Sequence, residues 1–151
     1  MVPGKTQLGE MERLFAALAD QTRLRLLNLM RDDEVCVCFF TEVLNESQPK
    51  ISRHLAYLRK AGLVDSRRDG KWVHYKINRL DNPMARELLS DVLEWLGDQV
   101  QMSQEHDELV SVCCSPDVPV TIARAPKPEA MAEREESVPA AAKGEIETYL
   151  L

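Results

Sequence analysis

Apolar residues return at helical spacing through the first third of the chain. Over residues 10–19, Met11, Leu14, Phe15 and Leu18 share one stripe. Asp20 is a side chain suited to an N-cap, and the run that follows it, 21–31, sets Leu24, Leu26, Leu27, Leu29 and Met30 on two sides of a second helix. Asp32, Asp33 and Glu34 end that helix in an acidic loop. Val35-Cys36-Val37-Cys38-Phe39-Phe40 then leads into a short helix over 41–44, with Asn45 and Glu46 as the turn behind it. The pattern restarts at Ser47. Ser47 can accept a backbone N–H, Pro49 fits a first turn where its missing donor costs nothing, and Ile51, Leu55 and Leu58 recur on one face as far as the turn at Gly62. Leu63-Val64 and residues 72–77 cluster as strand formers do, with Arg67-Arg68-Asp69-Gly70 as the turn between them. A last helix is expected from Pro83 to about residue 105, capped by Asp81 or Asn82, with Leu89, Val92, Leu93, Leu96 and Val100 as a continuous apolar stripe.

A short helix, a turn, a helix whose outer face carries Gln48, Lys50, Ser52, Arg53 and Lys60, and a hairpin with a basic tip form the layout of a winged helix-turn-helix. The class is α+β, mostly α, in the order α-α-α-α-β-β-α. The second helix of the pair would enter a major groove, and the hairpin would lie over flanking phosphates. The apolar stripe of the last helix exceeds what one small domain covers. With Leu14 of the first helix it reads as a two-fold seam, predicting a homodimer through the first and last helices.

Charge changes this picture more than composition does. The 151 residues carry 19 Lys and Arg against 25 Asp and Glu, which alone argues against a nucleic-acid partner. Residues 47–79, however, hold nine basic side chains and two acidic ones, a local +7 inside a surrounding −13. Polyanion binding needs a basic patch and does not need a basic protein. A hydrophobic content of 44% supports one core, so the chain divides into a DNA-binding domain at 1–106 and a tail at 107–151. Five of the eight prolines fall in the last 37 residues, among Ala and Glu runs, which predicts a flexible acidic tail. No apolar run approaches the roughly 20 residues of a membrane span, and the first ten residues lack an apolar signal region. A soluble, cytoplasmic protein without a membrane partner is expected, with its four cysteines reduced.

Two of those cysteines, Cys36 and Cys38, stand where a loop becomes a helix. Wholly helical backbone would point them about 200° apart, whereas a partly extended segment brings them to one side. Thiolates at a helix N-terminus are stabilised, and they select soft acceptors such as trivalent arsenic or antimony, Cu(I), Zn and Cd. Cys113 and Cys114 are a second pair, adjacent and followed at once by Ser115 and Pro116. His54 and His74 read as helix-surface and wing-strand residues rather than ligands. The chain lacks a Cys-x-x-Cys and a phosphate-cradling loop, so an enzyme is not expected.

The stretches DQTRLRLLNLM, EVCVCFFTEVL, SQPKISRHLAYLRKAGLV and RRDGKWVHYKI resemble, in order and spacing, the arsenical-resistance repressors of the ArsR/SmtB metalloregulator family. The resemblance runs over roughly residues 8–100. It implies a homodimeric winged-helix repressor that holds palindromic operator DNA and releases it when trivalent arsenic or antimony binds cysteine thiolates. No permanent cofactor is implied; the partners are double-stranded DNA, a second copy of the chain and the metalloid. Residue by residue, it implies Cys36 and Cys38 as inducer ligands, Gln48, Lys50, Ser52, Arg53 and His54 at the operator, and Arg67, Arg68 and Lys71 on the wing. The chain departs from the family pattern at Thr41, where a third cysteine commonly stands. Three readings follow: Cys113 or Cys114 completes a three-thiol site, two thiolates suffice for a monosubstituted organoarsenical, or Cys113-Cys114 is itself the main site. Within the same binding class, a thiol-redox-responsive repressor and a Zn- or Cd-responsive one are the alternatives.

Overall fold

The structure, a computed structural model, describes residues 6–114 together with Pro126 and Pro128, Cys114 by its backbone only. Six helices and three short strands follow in the order α1 (Gln7–Leu18), α2 (Gln21–Leu29), β1 (Val35–Cys36), α3 (Val37–Leu44), α4 (Gln48–Lys60), β2 (Val64–Asp69), β3 (Trp72–Ile77), α5 (Pro83–Gly97) and α6 (Val100–Cys114). This is a winged helix-turn-helix, with α3 and α4 as the pair and β2–β3 as the wing.

The helix starts are set by the side chains the sequence offers there. Asp20 accepts from Arg23 N at 3.0 Å, Ser47 from Lys50 N at 3.4 Å and Asn82 from Met84 N at 3.0 Å, each satisfying a donor that has no partner inside its helix. Asn45, at φ 51° and ψ 45°, makes the left-handed turn between α3 and α4, a conformation Asn tolerates better than most residues. Gly62, at φ 82°, closes α4, and the bond from Leu63 N to Leu58 O at 3.0 Å turns the chain into β2. Leu26, Leu27, Phe40, Ile51, Leu55 and Leu58 lose all solvent contact in the common core.

The sheet order is β1-β3-β2, both pairings antiparallel. The strand β1 does not stand out in the sequence, being two residues long. It pairs Val35 with Tyr75 and Cys36 with His74, and so joins the start of α3 to the wing. Helix α3 begins at Val37, four residues before the expected start, because pairing ends at Cys36 and frees the chain to wind.

The expected single helix from Pro83 to about residue 105 is two helices. Gly97, the residue least willing to stay helical, is followed by a turn in which Gln99 N bonds Leu96 O at 3.0 Å, and α6 folds back. A Cβ at position 97 would lie 2.5 Å from Arg31 Nη1, so a side chain there would displace the end of the Arg31 side chain. Helix α6 packs on α2, α3 and α5. Arg25 Nη2 meets Glu105 Oε1 at 2.7 Å, Asn28 Nδ2 donates to Met102 O at 2.8 Å, and His106 Nε2 lies 3.0 Å from Asp32 Oδ2. Burial holds His106 below the ordinary histidine range, the nearby Arg31 charge adding to it. The helix thus runs through the 106/107 boundary, with Leu109 and Cys113 wholly buried. Farther along, Pro126 and Pro128 line a cleft of about 800 Å³ between the acidic loop and the wing; the rest of the expected tail lies outside the described residues.

The same fold-back decides how far the residues of the expected dimer seam are exposed in one subunit. Leu14, Leu89 and Leu96 are buried within the subunit, and Val92 and Leu93 are half-buried; only Val100 of the six is open. The stripe is covered by the chain's own α2 and α6. What α1 leaves exposed is a different set, Leu8, Met11 and Phe15, at helical spacing. Among the described residues no helix is long and apolar enough to cross a membrane.

Because Leu109 is wholly buried, Leu109→Ala should lower unfolding free energy by about 2–5 kcal/mol in urea titration. A loss within about 0.5 kcal/mol, the usual surface value, would mean that α6 does not belong to the core.

Candidate functional site

Cys36 is the last residue of β1 and the N-cap of α3, with extended backbone at φ −70° and ψ 140°, and Cys38 is already in the first helical turn. One cysteine on each side of this change of conformation brings the sulfurs together, Cys38 Sγ donating to Cys36 Sγ at 3.1 Å. That hydrogen bond, outweighing burial and helped by the N–H groups of Cys38, Val73 and Val37, lowers Cys36 from 9.0 to about 7. Cys38 moves the other way, because its S–H donates to the Cys36 sulfur and it is itself half-buried. The pair shares one proton near neutral pH, leaving a thiolate beside a thiol.

The pair faces a cleft of about 360 Å³. Three elements meet there: α3 through Thr41 and Glu42, the start of α4 through Gln48 and Ser52, and the wing through Lys71, Trp72 and Tyr75. Thr41 Oγ1 donates to Cys38 O at 2.8 Å, and Lys71 Nζ lies 4.8 Å above the centre of the Trp72 ring. The cleft is therefore bordered by both α4 and the wing. Among the described lining residues, Cys36 and Cys38 supply the only sulfur atoms. Among the described residues, no group of three or more His, Cys, Asp or Glu is placed to hold a metal ion.

On α4, Gln48, Ser52 and Arg53 are exposed, and Lys50, half-buried, holds Glu46 Oε1 at 2.8 Å. His54 departs from this face. Its side chain is 13% exposed and turns to α2, with Nδ1 3.4 Å from Arg23 Nη1 and 3.7 Å from Asp20 Oδ1. On the wing Arg67, Arg68 and Lys71 are exposed, but Arg67 Nη2 reaches Glu34 Oε1 at 2.6 Å. The Arg67 hydrogen bonds hold Glu34 below the ordinary glutamate range. His74, read from the sequence as a wing-strand residue, lies on β3 opposite Cys36 and is 3% exposed.

Sequence reasoning missed Arg23, a charged residue three positions after a cap. Its Nε donates to Ala17 O at 2.8 Å, its Nη2 to Ala16 O at 3.0 Å, and its guanidinium stacks 4.1 Å from the Tyr57 ring centre on α4. It closes the end of α1 and fixes α4 against it. Trp72 and Tyr75 also escaped notice as cleft residues, since only the fold brings the wing to Cys36. Cys113 is buried in the core on α6 and is absent from the described lining of the thiol cleft. The side chain of Cys114 lies outside the described part.

Comparison with known proteins accounts for this arrangement. The family described as "Bacterial regulatory protein, arsR family" matches residues 20–66, from the cap of α2 into the wing. The arsenical resistance operon repressor of Escherichia coli (strain K12) is 40% identical over 106 residues, 70% of this chain and 89% of that protein. This chain belongs to the arsR family. Among solved structures, HlyU from Vibrio cholerae N16961 shares the fold at a TM-score of 0.53 and 26% identity, over 60% of this chain and 96% of that one. The AntR antimony-specific transcriptional repressor does so at 0.50 and 27%, over 67% and 90%. The arsR-family match includes Asp20, Arg23, Cys36, Cys38 and all of α4, so the clamp, the thiol pair and the reading helix lie in the shared part. As a member of the arsR family the chain is a DNA-binding regulatory protein.

The thiol pair predicts a pH dependence of definite sign. Cys36 is thiolate above about 7 and protonated below it. Alkylation of the first thiol by a small reagent should slow by about tenfold per pH unit below the midpoint and level off above it. Cys38→Ala removes the S–H donor and should move the midpoint up toward 9.0; a midpoint unchanged by that substitution would deny the shared proton.

Proposed function

We propose that the protein is a repressor whose affinity for operator DNA falls when trivalent arsenic or antimony binds Cys36 and Cys38. The observation that carries this reading is the cleft itself, where a thiolate and a thiol 3.1 Å apart share one wall with the reading helix and another with the wing. A soft ion that holds both sulfurs at about 2.3 Å, close to a right angle, spans about 3.3 Å, so little rearrangement is required. The arsenical and antimony names of the relatives agree with a thiophilic inducer.

When free, the protein would present Gln48, Ser52 and Arg53 to base edges and phosphates, with Arg68 and Lys71 on the flanking backbone. Arg67 would exchange Glu34 for a phosphate, and Lys50 would exchange Glu46. His54 acts through Arg23, as a support for α4. A second copy, docking through Leu8, Met11 and Phe15 of α1, would set two α4 helices about 34 Å apart on a palindromic operator. Inducer binding leaves the Cys36–Cys38 spacing nearly unchanged, and the atom it adds between the start of α3 and the wing presses on Gln48 and Ser52 and displaces Trp72 with the Lys71 above it. A coupling of about 1–3 kcal/mol between the two sites is of ordinary size.

The decisive experiment is release of a labelled operator from reduced protein during titration with trivalent arsenicals and antimonite. Cys36→Ser/Cys38→Ser should bind the operator with affinity within about threefold of wild type and no longer release it. Release at wild-type concentration would place the inducer at Cys113 or Cys114, and release by peroxide alone, reversed by reductant, would favour a redox regulator. Separately, Arg53→Ala and Lys71→Ala should each reduce the slope of log affinity against log salt by about 1, and an unchanged slope would remove that residue from the phosphate contacts.

A further inference from the structure

The geometry points to a narrower ligand class for the thiol cleft, trivalent arsenic already carrying one organic substituent. This rests on the reading of Cys36 and Cys38 as inducer ligands. A trivalent arsenic has three positions to fill, and the cleft offers two sulfurs among its described lining residues. The side chain one helical turn beyond Cys38 is Thr41, whose hydroxyl proton is committed to Cys38 O at 2.8 Å. Cys113, the other described thiol, is buried on α6 and is not part of that lining. Inorganic arsenite bound here keeps a hydroxyl on arsenic, and part of the cleft wall is apolar and aromatic.

That wall is the second observation. Val37, Val73, Trp72 and Tyr75 line the cleft together with the polar side chains of α3 and α4, and all four are half-buried. The volume of about 360 Å³ is an order of magnitude above the roughly 30 Å³ share of one water, far more than a bare metalloid fills. An alkyl or aryl group on arsenic would lie along the valines and the two rings, where burial of apolar surface favours it. The reaction balances without any oxidant. A monosubstituted arsonous acid exchanges its two hydroxyls for Cys36 and Cys38 sulfurs; the hydroxyls leave as two waters, one taking the proton the thiol pair holds and the other a proton from solvent, and arsenic stays trivalent.

The test uses full-length reduced protein on its operator, titrated in parallel with phenylarsenite, methylarsenite, arsenite and antimonite, with native mass spectrometry of the same samples. Phenylarsenite and methylarsenite should release DNA at about one equivalent per subunit, each leaving an adduct lighter by two waters than the free acid. Arsenite and antimonite should need at least about tenfold more. Thr41→Cys, which adds a third thiol to the cleft, should raise arsenite sensitivity by about tenfold or more, and Trp72→Leu should narrow the preference for phenyl over methyl. Wild-type release by arsenite at the same concentration as phenylarsenite would overturn the organic preference and leave the inducer reading standing. No release and no Cys36–Cys38 adduct with any of the four would overturn both.

Discussion

Two backbone pairings, Val35 with Tyr75 and Cys36 with His74, hold the functional part of the molecule together. Without them the wing would be a two-stranded hairpin, a unit marginal on its own in water, with only its packing on α3 and α4 to hold it. With them, the wing, the thiols and the first turn of α3 move as one piece, and the change from extended to helical backbone is pinned between Cys36 and Val37. The proximity of the two sulfurs follows from that pinning. A strand longer by two residues would carry Cys38 into the sheet, on the face of Cys36 but about 6.6 Å along it, and a helix begun earlier would turn the sulfurs apart.

The reading helix has its own anchor on the opposite side. Ile51, Leu55 and Leu58 bury its inner face, while Arg23 ties its outer flank at Tyr57 and His54 to the end of α1. Arg23 is held by two carbonyls and a ring, so its charge is used structurally, and Asp20 beside it serves as cap and counter-charge. Burial raises the Asp20 carboxyl, but the Arg23 N–H and the His54 and Arg23 charges outweigh it and leave it low. Helix α4 is therefore supported at α1 on one side and opens at its N-terminus onto the thiol cleft on the other. Displacement at the cleft end is opposed by a fixed clamp, which favours a tilt over a slide.

Much of this was legible in the residues because the relevant physics is local. Asp20, Ser47 and Asn82 announce their helices by capping, Gly62 and Gly70 mark turns that require positive φ, and the apolar spacing of Ile51, Leu55 and Leu58 orients α4. What escaped depends on contacts far apart in sequence. Two residues of β1 carry no pattern of their own, and their partners lie about 40 positions away. The last helix was read through Gly97 because Val100 prolongs the apolar stripe, and only packing on α2 and α3 shows that the chain turns. The thiol pair was found from residue type and spacing, whereas its aromatic wall belongs to the wing and appears only once the sheet is assembled.

The segregation of charge has a kinetic consequence. Nine of the 19 basic residues sit in the stretch that forms α4 and the wing, while the acidic excess lies elsewhere in the chain. Such a molecule in the field of a duplex experiences a torque as well as an attraction, which turns the cationic face inward and the acidic remainder away. At physiological ionic strength the Debye length is about 8 Å, so this alignment acts only over the final approach. The net charge of −6 then discourages loose adsorption through any other face. Encounters that begin in the wrong orientation are shed, and those that persist already have the reading helix toward the groove.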